Sequence, residues 1–119
     1  MNNRSEPRTL GQRKPAATTR EAIVTIQANR WATITGIVAC NQGAGISTIQ
    51  VSLAPRGAAH VASQFILYNK AIAVGDSIWI TETGLQMAPL DVIRVYSNTG
   101  DVSFAVCGVL IAATVAKNG

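Results

Sequence analysis

The sequence predicts an all-β protein: an antiparallel two-sheet β-sandwich, of jelly-roll or immunoglobulin-like order, with an extended N-terminal arm. Three observations carry this reading. From residue 21 onward, apolar residues alternate with polar ones in short runs. Gly, Pro, Asn and Asp punctuate these runs at nearly regular spacing. No stretch shows the 3.6-residue apolar period of an amphipathic helix. Eight or so short strands arranged this way build a sandwich or a barrel.

Residues 1–20 contain one large aliphatic, Leu10, two prolines and scattered cations. Such a segment buries too little apolar area to offset its ordering entropy, so it is expected to be an arm, ordered only where a neighbour or a groove holds it. Domain boundaries follow: an arm over 1–20 and a sandwich over 21–119. Alternation begins at Ala22, with Val24 and Ile26 on one face and Ile23, Thr25 and Gln27 on the other. In the next strand, residues 31–40, Ala32, Ile34, Val38 and Cys40 share one face, and Trp31, Thr33, Thr35 and Ile37 the other. NQGAG at 41–45 supplies a turn, with three residues that tolerate positive φ.

A third strand covers 46–53, with Ile49, Val51 and Leu53 inward, and Pro55 and Gly57 end it. A helical turn is expected over 58–63, where no strong β signal exists. Strands are expected at 65–72, 77–82, 85–88, 91–97 and 102–114, with Gly75-Asp76, Thr83-Gly84 and the hairpin turn 98–101 between them. Gly108 marks a bulge or a bend. The core candidates are Leu53, Phe65, Leu67, Ile78, Ile80, Ile93, Val95, Phe104 and Val106.

The net charge of +4 lies entirely in the arm, where Arg4, Arg8, Arg13, Lys14 and Arg20 face only Glu6. From Glu21 onward five basic residues balance five acidic ones. Charged residues make up 13% of the chain, about half the usual share, against 48% hydrophobic. A monomer alone in water usually carries more surface charge, so part of the body is expected to be covered by other subunits. The arm's cations fit a solvated tail, docking on a neighbouring subunit, or contact with nucleic acid. The last is weakened because no aromatic residue is interleaved for base stacking. No apolar stretch is long enough to span a bilayer as a helix, and no secretory leader is evident. A membrane partner is not expected.

Catalysis finds no support. His60, the single histidine, has no nucleophile and orienting carboxylate in any recognisable spacing. One His and two distant cysteines cannot make a zinc site, so no metal and no cofactor is expected. Gly43 to Thr48 lacks the third glycine of a dinucleotide fingerprint and the lysine of a phosphate loop. Asp76, Asp91 and Asp101 stand at turns, where Asp serves the backbone. Cys40 and Cys107 are expected to be reduced thiols in apolar runs, with a bridge between neighbouring strands as the other reading. Trp31 and Trp79 project opposite the aliphatics of their strands. They are core residues in another register, anchors of a subunit contact, or ring-stacking platforms. Tyr68 and Tyr96 would join them in a carbohydrate- or receptor-binding module.

Five segments resemble small β-sandwich structural proteins of tailed bacteriophage virions: ATTR (17–20), IVACNQG (37–43), VSLAPRG (51–57), AIAVGDSIWITETGLQM (71–87) and DVIRVYSNTGDVSFAVCGV (91–109). The resemblance implies a non-enzymatic head, neck, collar or tail subunit, made in the host cytoplasm and carried in the virion. Its partners would be copies of itself in a ring or lattice and other virion proteins. The subunit-contact candidates are Arg4, Arg8, Leu10, Arg13, Lys14, Arg20, Trp31 and Trp79. The chain departs from the family pattern at Val109-Leu110-Ile111, where an acid is usual, and in the length of its arm.

Overall fold

The computed structural model describes residues 6–80 and 85–112. Among these residues nine strands form two antiparallel sheets. They are β1 (Glu6–Arg13), β2 (Glu21–Thr25), β3 (Arg30–Asn41), β4 (Ser47–Ala54), β5 (Phe65–Ile72), β6 (Ser77–Ile80), β7 (Leu85–Met87), β8 (Val92–Ser97) and β9 (Val102–Ala112). Sheet A runs β1-β9-β3-β6, with β7 also on β3, and sheet B runs β2-β8-β4-β5. β6 and β7 line the same edge of β3, so they act as two halves of one strand. Counted that way, eight strands cross between the sheets at nearly every connection. That is jelly-roll order, and it removes the immunoglobulin-like alternative, in which consecutive strands more often share a sheet.

The expected arm is corrected first. Residues 6–13 form an edge strand of the chain's own sheet A, paired antiparallel with β9 from Glu6↔Leu110 to Arg13↔Phe104. The boundary at residue 20 therefore does not separate an arm from a sandwich. The groove that orders this segment is the open edge of β9, where backbone pairing substitutes for the apolar area the segment lacks. Leu10 is the extra residue of a bulge in β1 and packs against the core. The linker is fixed as well: Pro15 is buried and the Thr18 N–H donates to Ser97 O at 2.8 Å.

Between the sheets lie Ile34, Ile37, Ile49, Ile72, Met87, Ile93, Val95, Phe104 and Val106. Of the core candidates, Ile93, Val95, Phe104 and Val106 are fully buried, while Leu53, Leu67, Ile78 and Ile80 are half-buried against them. Phe65 is the exception and lies on the outer face of sheet B, where it pairs with Ser52. The faces expected for β3 hold only to Ile34. A bulge between Ile34 and Gly36 shifts the register, so Ile37, Ala39 and Asn41 turn inward and Val38 and Cys40 outward.

Gly108 is not itself bulged; its two neighbours are. β3 carries its extra residue beside Cys107 and Gly108, and β1 carries its own one step further on, beside Val106 and Cys107. A side chain at 108 would collide with the Thr33 carbonyl oxygen and come within 3.1 Å of Leu10 Cδ1. The absence of a Cβ is what lets β9 lie this close to the β3 backbone at Thr33. In the 41–45 turn no residue takes positive φ. Instead the buried Asn41 side chain donates to Gly45 O at 2.8 Å and Ile72 O at 3.0 Å, and accepts from Gly43 N at 2.9 Å. In place of the helical turn expected over 58–63, short 3-10 turns occupy Pro55–Gly57 and Ala62–Gln64. The strand end at 81–82, the Thr83-Gly84 turn and the last strand beyond 112 lie outside the described residues.

Candidate functional site

Two outer faces remain after the core is assigned, and they differ in chemistry. On sheet A, cross-strand rows place Trp79, Val38 and Ala105 side by side, then Gln86, Thr33 and Val109, and Trp31 beside Ile111. Trp79 is 65% exposed and Trp31 45%. Gly36 lies beneath the Trp79 indole, whose nearest ring atoms stand 4.0 Å from a Cβ built there. β3, β6, β7 and β9 put no charged side chain on this face. Arg30 points toward the space between the sheets, near Leu10, Val24 and Leu110. Lys14 stands at the rim of a shallow groove with Gln12, Val38, Cys40 and Ser103. The two tryptophans are thus surface residues, which excludes their core reading.

Cys40 and Cys107 are both free and half-buried. Cys40 pairs with Ser103 and Cys107 with Gly36, so they are offset along neighbouring strands and not bridged to each other.

On sheet B the outer face is polar, aromatic and basic. Arg20 enters from the start of β2 and lies over the rings of Tyr96 (5.1 Å) and Phe65 (5.6 Å). Its guanidinium donates to Gln50, whose amide donates to Asn69 at 2.7 Å. Phe65 meets Tyr68 edge-to-face at 4.7 Å and His60 at 4.9 Å. Arg94 donates to the carbonyls of Ala58 and Gly57, pinning the 55–64 segment against the sheet. Burial, then the charges of Arg20 and Arg94, hold the His60 imidazole below its ordinary pKa. Sequence reasoning assigned Phe65 to the core and Arg20 to the arm. The signal for their meeting is weak, because irregular pairing of β5 with β4 and positive φ at Asn69 turn Phe65 and Tyr68 outward together.

The other contact candidates do not converge on one spot. Arg8 is exposed on β1, Leu10 belongs to the core, Arg13 is paired with Glu21, and Arg4 lies outside the described residues. Tyr68 and Tyr96 share sheet B, whereas Trp31 and Trp79 share sheet A, so the four rings make no single platform. Among the described residues no group of three or more His, Cys, Asp or Glu side chains is placed to hold a metal ion. Asp91 accepts from the Arg56 and Ala88 N–H groups, both at 2.9 Å, which is a turn-fixing role.

No protein-family model and no curated sequence matches the chain. Solved structures do. A subunit of the disulfide-linked pili that form Bacillus endospore appendages aligns over 91% of this chain and 82% of its own, at 15% identity and TM-score 0.50. A chain from infectious bursal disease virus, Gt strain, aligns over 94% of this chain and 34% of its own, at 11% identity and TM-score 0.48. A pentameric capsid protein from metagenomic phage sequences aligns over 87% and 60%, at 13% identity and TM-score 0.30. At 15% identity the likeness to the pilus subunit is one of fold.

Proposed function

We propose that this chain is a non-enzymatic structural subunit of a bacteriophage virion, at the neck or collar, tail or capsid surface, that assembles into a symmetric homo-oligomer. The carrying observation is the outer face of sheet A: two exposed tryptophans among Val, Ile, Ala, Thr, Ser and Cys, with no charge, among the described residues, from β3, β6, β7 or β9. Trp anchors are enriched where protein surfaces meet. The occupant we assign is a second copy. Two uncharged faces meet without like-charge repulsion, whereas two copies of the basic sheet B face would repel. β1 adds a free strand edge beside this face, through which the N-terminal segment contacts a neighbour while remaining in its own sheet. The pilus subunit of related fold, which assembles into a filament, supports the reading. Electron microscopy of the purified chain tests it: closed rings or an ordered lattice are expected, and dispersed single subunits at every concentration would overturn it.

A further inference from the structure

The outer face of sheet B carries Arg20 and Arg94, and among the described residues neither forms an ion pair. Among the described residues the ion pair found is Arg13–Glu21, at the opposite side of β2. Arg20 is half-buried, lies over two rings and, among the described residues, bonds to Gln50 through one nitrogen. Its remaining donors form the planar fork that matches a carboxylate. Beside it the Tyr68 ring is 63% exposed, one ring from Arg20 through Phe65. The Gln50 and Asn69 amides, bonded to each other at 2.7 Å, add polar groups beside it.

We propose that this face binds an acidic saccharide, with a sugar ring on Tyr68 and its carboxylate on Arg20. An aromatic face beside amide groups suits the apolar side and the hydroxyls of a pyranose. A guanidinium fixed in place by stacking binds an anion with little ordering cost. Nucleic acid fits less well, because the cations make one compact cluster and not a track along a phosphate backbone. The site lies on the sheet opposite the proposed subunit contact, so its failure and the failure of that reading are separable.

The test is titration of the full chain with sialyllactose and trigalacturonate, against lactose and maltotriose as neutral partners and a DNA oligonucleotide as a phosphate polymer. Binding of an acidic saccharide and not its neutral partner is expected. Arg20→Gln should weaken it by at least about tenfold, the size of a lost charge-assisted hydrogen bond. Tyr68→Ala, at an exposed position outside the core, should weaken it several-fold, and Trp79→Ala should not. Equal binding of neutral sugars, binding of DNA alone, or no acidic saccharide bound would each overturn the proposal. So would an Arg20→Gln chain that folds but loses its oligomeric state, since the face would then be a subunit contact.

Discussion

Arg13 and Glu21 join the two sheets at their open edge. The Arg13 guanidinium donates to Glu21 Oε1 at 2.6 Å, and the Ala16 N–H donates to Oε2 at 2.9 Å. One carboxylate thereby holds the end of β1 in sheet A, the linker, and the start of β2 in sheet B. At Gly11 the two edges approach so closely that a side chain would collide with the Ile23 carbonyl oxygen.

The Ala16 N–H, and then Arg13, hold the Glu21 carboxyl below the usual carboxylate range. A depressed carboxylate contributes stability above its unfolded pKa and loses it as pH falls through the folded value. Glu21→Gln should lower the melting temperature at neutral pH and speed amide exchange across β1. The gap from the wild type should close only in acid, once the pH has fallen through the depressed folded value of Glu21 and both chains lack the charge. A gap that persists there would show that the carboxylate's charge is not what holds the strand.

Gly108→Ala drives a methyl group into the Thr33 carbonyl and toward Leu10. Overpacking against backbone costs about 1–3 kcal/mol, so urea unfolding should shift by that much. Leu10→Ala in the Gly108→Ala background should recover little of the loss, because the collision with the carbonyl remains. Substantial recovery would place the conflict at the side chain instead.

Asn41→Ala leaves the carbonyls of Gly45 and Ile72 and the Gly43 N–H without their side-chain partners. Of these the bond to Ile72 O is the buried one, and a buried group left unpaired costs about 1–3 kcal/mol. A loss on the order of 3 kcal/mol in thermal or urea unfolding is expected, and Asn41→Asp, which keeps only the acceptor, should not restore it. A loss under about 0.5 kcal/mol would contradict the role assigned to Asn41.

Strand periodicity made most of this fold legible. Phe65–Ile72 and the starts of β6 and β7 fall where alternation and turn residues put them. β1 was illegible because its stability comes from backbone pairing to β9, which composition does not register. The face of β3 was legible only to Ile34, since one extra residue reverses everything after it and Gly36 alone does not announce it. For the candidate site, the outward projection of Trp31 and Trp79 could be read from alternation. The Arg20 cluster could not, because it joins side chains from β2, β4, β5 and β8 through non-local pairing.

The central claim is that the uncharged face of sheet A joins copies of this chain, and the molar mass of wild type and Trp79→Glu by light scattering tests it most directly. The account predicts a wild-type mass that is a multiple of 12.5 kDa and a folded 12.5 kDa monomer for the variant, because a buried carboxylate in that contact would have no partner. A wild-type monomer at every concentration, or a Trp79→Glu chain with an unchanged oligomer, would contradict it.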